Sequence, residues 1–351
     1  MKKLKFLFCL LTVFTSALSC KNESASVVQA NVNNPKIKTQ SQQIVTADKV
    51  VVGYIKGGGN VQAVMNSTDL NIVTHINLAF FKPNSSGTMM SGGQPVCSDL
   101  SAADITYVVN AAHQKGRKVL ASVGGASARS CAGDIAVLFR AANRTNFINN
   151  LASLATYFNL DGIDIDVEGT TLETIVSESN YAPFIAALRT KINPLGKLVT
   201  AATAGYEGGM IPSSSYPYLD LINIMSYDIG WGGTANHSTY DDALTQIQRF
   251  LDDNCPASKL VLGVPFYGYK PTVGTGYISF NSLIAQYGAN AAYVDYYDGY
   301  KYNGITAIEA KTKYAAQHIR GVMIWELSQD AAGTYSLVKA IGRKIGTPSI
   351  Q

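Results

Sequence analysis

Leu160-Asp161-Gly162-Ile163-Asp164-Ile165-Asp166-Val167-Glu168-Gly169 reads at once as a strand and as a row of acids. Ile163, Ile165 and Val167 alternate with Asp164, Asp166 and Glu168. Side chains along a strand point to opposite faces with period two, so the three carboxyls share one face. At about 3.3 Å per residue the row spans only about 13 Å, too little for all three to ionise freely, and at least one pKa is expected to be raised. A solvated edge strand is a poor account, because the β-branched residues opposite imply packing and Asp is depleted in strands. Local rules of this kind break mainly at functional sites. What remains is an acid/base site or a metal site.

Working outward, a beat of strand, loop and helix repeats on both sides of this stretch. Apolar runs at 49–55, 75–81, 117–123, 198–204, 221–227, 259–266 and 322–327 join the acidic strand to make eight. Helices are expected from Ser101-x-x-Asp104 to Gly116, over 134–159, around 181–192, from Thr239-x-x-Asp242 to near Asn254, from Thr306-x-x-Glu309 to just before Arg320, and over 330–345. The Tyr-rich segment 292–304, with Asp298-Gly299 at its centre, reads as an inserted hairpin. Lys56-Gly57-Gly58-Gly59 lacks the Lys-Ser/Thr of a phosphate cradle and reads as a tight turn after the first strand.

Strands that are apolar almost throughout require burial on both faces, which argues for a single parallel α/β domain. A closed (β/α)8 TIM barrel without a large insertion domain fits best. A doubly wound open sheet fits less well, since no Gly-x-Gly-x-x-Gly follows the first strand. Chemistry in such barrels gathers at the carboxyl ends of the strands, which is where Glu168 falls.

With 47% hydrophobic and 15% charged residues among 351, the chain can bury a large core. Its formal charge of +4 includes Lys2, Lys3 and Lys5; without them 25 basic residues face 24 acidic ones, so no polybasic surface argues for nucleic acid or an anionic membrane. Residues 1–19 read as a signal peptide. Ala17-Leu18-Ser19-Cys20 resembles the lipobox of bacterial lipoproteins, which makes Cys20 the expected lipidation site and 20–48 a flexible tether. The expected location is the outer membrane or cell surface, or otherwise the periplasm or the medium. The barrel is expected over 49–345, followed by a tail at 346–351. Cys97 and Cys131 each follow a strand at one end of the fold and are free to pair in an oxidising compartment. His75, His113, His237 and His318 are scattered and read as surface or core filling, so a zinc site is not expected.

A barrel should carry unusual side chains at its other strand ends. Tyr54, Phe80, Ser122, Met225, Tyr227, Asp228 and Trp325 stand there. Together with the acid row they describe a pocket suited to a sugar, whose apolar face stacks on an indole and whose hydroxyls need sparse polar partners. A carboxyl of raised pKa can protonate a glycosidic oxygen near neutral pH.

These residues resemble glycoside hydrolase family 18, the chitinases and related endo-β-N-acetylglucosaminidases. Asp161-x-x-Asp164-x-Asp166-x-Glu168 matches the family signature, and Ser122-x-Gly124-Gly125, Met225-x-Tyr227-Asp228 and Trp325 fall in order where its other patterns lie. The resemblance implies retaining hydrolysis in which the substrate's own 2-acetamido oxygen is the nucleophile. It makes Glu168 the acid/base, Asp166 the partner of the acetamido N–H, Asp164 the residue sharing a proton with Asp166, and Tyr227 the donor to the acetamido oxygen. Asp228 and Met225 would contact the sugar, Trp325 would lie beneath it with Phe80 nearby, and Tyr54 and Ser122 would stand behind the row. Asp161 is expected to be structural. No cofactor is implied, and the expected partner is an N-acetylglucosamine-containing oligosaccharide or polysaccharide.

Val167 and Gly169 stand where many members carry Trp and another aromatic, which leaves the subsites beyond the cleaved bond open. The segment between the last two strands is short for the insertion that deepens the groove in one branch. A shallow cleft and soluble oligosaccharides are therefore expected. The rivals are cleavage of N-glycan chitobiose cores, a non-catalytic sugar-binding barrel, and a phosphodiesterase using the acids to hold Mg²⁺ or Ca²⁺.

Overall fold

The computed structural model describes residues 49–229, 237–270 and 276–346. Eight parallel strands close into a barrel in strict chain order. They are β1 (Val50–Lys56), β2 (His75–Phe81), β3 (Lys118–Gly124), β4 (Gly162–Asp166), β5 (Leu198–Ala204), β6 (Leu221–Met225), β7 (Leu260–Pro265) and β8 (Gly321–Trp325). β8 pairs back onto β1, with Val50 opposite Gly321 and Gly53 opposite Ile324. The expected TIM barrel is therefore observed. β6 and β8 each stop two residues short of the sequence expectation. Past these points the backbone turns into the barrel mouth, where Asp228 takes a positive φ of 58°.

The barrel separates two kinds of interior. Outward side chains such as Ile163, Ile165, Val199, Ile222 and Ile324 pack against the helices in one continuous apolar layer. Inward side chains form a second apolar cluster of Val50, Val52, Tyr54, Ala79, Leu221, Val261 and Met323. The acidic strand is the exception, since its inward residues are carboxyls that are 0% (Asp164) and 3% (Asp166) exposed.

Several helices differ from expectation for local reasons. The helix expected over 134–159 breaks at Arg140, whose extended backbone (φ −64°, ψ 148°) separates Ile135–Phe139 from Ala141–Tyr157. The break lets Phe139 stack on Phe184 at a ring separation of 3.7 Å. A helix at Gly169–Ser177, which the sequence did not signal, starts immediately after Glu168. Ser101 and Thr239 cap as expected, but Thr306 does not. Its hydroxyl donates to the Tyr293 carbonyl at 2.9 Å, and Gly304 occupies the cap. The last helix is Leu337–Ile345, because Asp330 is spent accepting from Ser336 Oγ and the Leu337 N–H, both at 2.6 Å.

Where a single hairpin was expected after β7, the chain builds a four-stranded antiparallel sheet in the order Tyr277–Ser279, Tyr267–Tyr269, Tyr300–Lys301, Tyr296–Tyr297. The helices Phe280–Tyr287 and Ala289–Ala292 complete the insert. The hairpin at Asp298-Gly299 is its outer pair. Strands of two or three residues are too short to leave a periodic signal. Cys97 and Cys131 form a disulfide (Cα–Cα 5.7 Å) that ties the loop after β2 to the loop after β3. Residues 1–48, with the export segment and Cys20, lie outside the described residues, as do Trp231 and the tail beyond 346.

Candidate active site

Asp164 sits deepest in the row. Parallel pairing places Ser122 of β3 and Thr200 of β5 level with it on either side. Its Oδ2 accepts from the Tyr54 hydroxyl and Ser122 Oγ, each at 2.8 Å, and its Oδ1 accepts from Thr200 Oγ1 at 2.6 Å and Asn223 Nδ2 at 3.5 Å. Burial pushes the Asp164 carboxyl up while these donors pull it back. The side chain is locked by four strands and has no freedom to turn.

Asp166 and Glu168 share a hydrogen bond. Burial raises Asp166 well above the usual carboxylate range, and the neighbouring Glu168 and Asp164 add to the rise; Lys82 opposes it. Asp166 Oδ1 is buried without a hydrogen-bond partner among the described residues. Glu168 lies just past the end of β4, only partly buried. Burial is also the main cause of its raised pKa, followed by Asp228, against which Lys82, the bond from Asp166 and the Ala126 backbone act. Two adjacent carboxyls whose ionised forms are both disfavoured by burial are suited to share a proton, and the outer one is placed to pass it to a ligand.

Asp166, Glu168, Phe80, Met225, Tyr227, Asp228 and Trp325 line one cavity of about 330 Å³. Trp325 stacks on Phe80 (5.5 Å, 22°) and tilts against Tyr54 (5.4 Å, 60°), so the indole has a fixed plane. The Tyr227 hydroxyl meets the weak acceptor Met323 Sδ at 3.8 Å. A stronger acceptor brought into the cavity would take that proton. Asp228 is oriented by the Tyr267 hydroxyl at 2.8 Å and lies 3.5 Å from His237 Nδ1. Tyr54, Ser122 and Asp164 stand behind the lining and do not face the cavity.

A second cavity of about 670 Å³ adjoins the first at Lys82, Arg129, Asp166 and Glu168, and is lined also by Gly124, Gly125, Thr170 and Tyr206. Its Gly124-Gly125 turn allows nothing larger than glycine. A Cβ on Gly124 (φ 123°) would stand 2.0 Å from the Asp166 carbonyl, and one on Gly125 (φ 78°) would stand 2.6 Å from the Phe80 ring.

Sequence reasoning missed Lys82, Arg129, Asp99, Thr200, Asn223, Tyr267 and His237. His237 does not fill the core at random, since its Nε2 lies 3.2 Å from the Tyr267 carbonyl and its other nitrogen faces Asp228. Arg129 bridges to Asp99 at 2.7 Å across the two loops that the disulfide ties. Lys82 carried a signal that was not read, a charge placed directly after the four apolar residues Leu78 to Phe81 at the end of β2. Among the described residues, no three His, Cys, Asp or Glu side chains are grouped so as to hold a metal ion.

Residues 50–330 match the family model for glycosyl hydrolases family 18. The fold is similar to that of the family 18 chitinase ChiB from the chitin utilization locus of Flavobacterium johnsoniae, with a TM-score of 0.73 and 30% identity over 85% of this chain and 94% of that one. A chitinase of Bacteroides thetaiotaomicron is similar to the same degree, with a TM-score of 0.73 and 26% identity, covering 85% of this chain and 97% of the other. Chitinase A1 of Niallia circulans is 27% identical over 61% of this chain. The chain spans less than two thirds of the length of the curated relatives it matches, 40% in that case.

Proposed function

The chain belongs to glycosyl hydrolases family 18, and from that premise we propose that it is a retaining glycoside hydrolase. It cleaves β-1,4 bonds next to N-acetylglucosamine in chitin-type oligosaccharides. The observation that carries the reading is the graded acid row. Asp164 is locked, Asp166 is buried with one oxygen unpaired, and Glu168, partly buried, lines a cavity that also holds Tyr227 and Trp325.

The indole of Trp325 takes the apolar face of the sugar. Glu168 protonates the glycosidic oxygen and the leaving group departs. The 2-acetamido oxygen attacks the anomeric carbon, held in line by the Tyr227 hydroxyl. Asp166, which lines the cavity beside Glu168, accepts the acetamido N–H and stabilises the cyclic cation. Glu168, now ionised, takes a proton from the water that opens the ring, and the anomeric configuration is retained. Asp164, held by its donors, fixes the position and charge of Asp166 without touching the substrate. The chemistry needs no metal.

The test is mass-spectrometric product analysis with chitooligosaccharides and, in parallel, with an N-glycopeptide. Cleavage of the first alone supports the reading. Cleavage of the glycopeptide at its chitobiose core would replace it with the glycan endoglycosidase, and loss of activity with EDTA would favour metal chemistry. The export reading belongs to the same proposal, with Cys20 as a lipid-bearing residue at the end of a tether. Radiolabelled palmitate incorporation that disappears in Cys20→Ala is the expected result.

A further inference from the structure

Among the described residues, Lys82 is the one buried cation on the wall of the site, and the proposed reaction assigns it nothing. It follows β2 directly, is 7% exposed, and lines both cavities that meet at Asp166 and Glu168. Its ammonium donates to the carbonyl of Gly124, on the turn that closes against Asp166. Burial of an ammonium is costly unless an opposite charge compensates it. Burial lowers the Lys82 pKa, and Asp166 and Glu168 are the groups that act against that fall.

We propose that Lys82 is a positioning residue for the reaction: held on the Gly124 carbonyl, its ammonium is the internal counter-ion of the Asp166–Glu168 pair and sets the pH range over which that pair holds a single proton. The inference rests on the acid/base reading of Glu168 given above. A pair of carboxyls sharing one proton carries one negative charge, which one ammonium balances.

The other charged groups around the pair do not serve. Arg129 faces Lys82 but is committed to Asp99. Lys56, on the cavity rim, is exposed. Asp228 acts on Glu168 from the opposite wall with the wrong sign, and Asp164 lies behind Asp166 with its own donors. The same placement accounts for a requirement of the chemistry. A nearby cation opposes the desolvation that favours the protonated forms of both carboxyls. Asp166 needs its charge to stabilise the cyclic cation.

The sign is fixed. A cation favours the ionised forms of both carboxyls, so its removal lets each take a proton at higher pH. Three variants separate charge from packing: Lys82→Met removes charge and donor, Lys82→Gln removes the charge but keeps an N–H for Gly124, and Lys82→Arg keeps both. The pair is titrated by carboxyl carbon-13 NMR of the Asp- and Glu-labelled protein, with Glu168→Gln and Asp166→Asn to identify the signals. The pH profile of kcat/KM on a chitooligosaccharide is measured beside it, and Tm reports folding.

Lys82→Met and Lys82→Gln are expected to move the titration of the pair, and both limbs of the profile, upward by about one pH unit. Lys82→Arg should stay near wild type. A folded Lys82→Gln that titrates as wild type does, or an Arg variant that shifts as far as the neutral ones, overturns the proposal. The NMR arm needs no substrate, so an inactive wild type would defeat the functional reading while the titration still decides the role of Lys82.

Discussion

Asp161 and Asp166 come from one decapeptide yet end at opposite mouths of the barrel in opposite circumstances. At the amino-terminal end Asp161 Oδ2 accepts from the Val119 N–H at 2.7 Å and from His113 Nε2 at 2.8 Å. Asp220, two strands further on at the start of β6, repeats the device with the Val199 N–H at 2.9 Å and a two-pronged bond from Arg189. At the carboxyl-terminal end Asp166 is buried beside two other acids with one oxygen unpaired. The lower acids are used up in tying strand starts together. At the upper end Asp166 keeps an oxygen without a partner, beside Glu168 on the cavity wall.

The comparison breaks most sharply at Glu168. Glu168→Gln should lower kcat by roughly 10²–10⁴-fold, the usual worth of a general acid, while chitooligosaccharide binding measured by calorimetry persists. Near wild-type turnover in that variant would place the acid elsewhere. Asp166→Asn should cost roughly 10²–10³ in kcat, as loss of one preorganised charge-stabilising group does.

The same Asp166→Asn variant sharpens the comparison through stability. The folded-state pKa of Asp166 is raised, so the folded chain binds that proton more tightly than the unfolded one. The stability this gives is fully present below the unfolded carboxyl value of about 3.9 and is lost as pH rises through the raised value. Thermal melts should therefore show Asp166→Asn gaining on wild type as pH rises from 4 toward 8. A difference that is flat with pH would mean that Asp166 is not a strained acid.

At the lower end the expectation reverses. Asp161→Ala leaves the Val119 N–H buried without its acceptor and should cost about 1–3 kcal/mol in urea unfolding, with kcat/KM left near wild type. A large loss of activity at unchanged stability would undo the division between the two ends. The smallest effect is expected at Thr200→Val. It removes one of the donors to Asp164 at nearly constant volume and should cost roughly 1 kcal/mol with a mild fall in kcat; its target is the claim that Asp164 acts only by holding Asp166.

Much of this was legible beforehand because the strands are long and buried on both faces. A run such as Val50–Ile55 or Leu260–Val264 declares itself by composition alone, and eight of them in alternation with helices leave few topologies. The acid row was legible for the complementary reason, that Asp in a β-branched strand breaks a local preference. What escaped was set by single contacts. Asp330 reaches Ser336 and Leu337 and so delays a helix. Arg140 breaks another, and the two-residue strands of the insert are paired by their neighbours rather than by pattern.

The sequence by itself determined the barrel, the face on which three carboxyls lie and the order in which the other strand ends follow, because period and composition are properties of the chain. It could not assign Lys82, Thr200 or His237, which lie far from the row in sequence. Their partnership with Asp164, Asp166 and Asp228 exists only once the barrel closes, and that closure decides which acid is locked, which is left short of a partner, and which opens to the cavity.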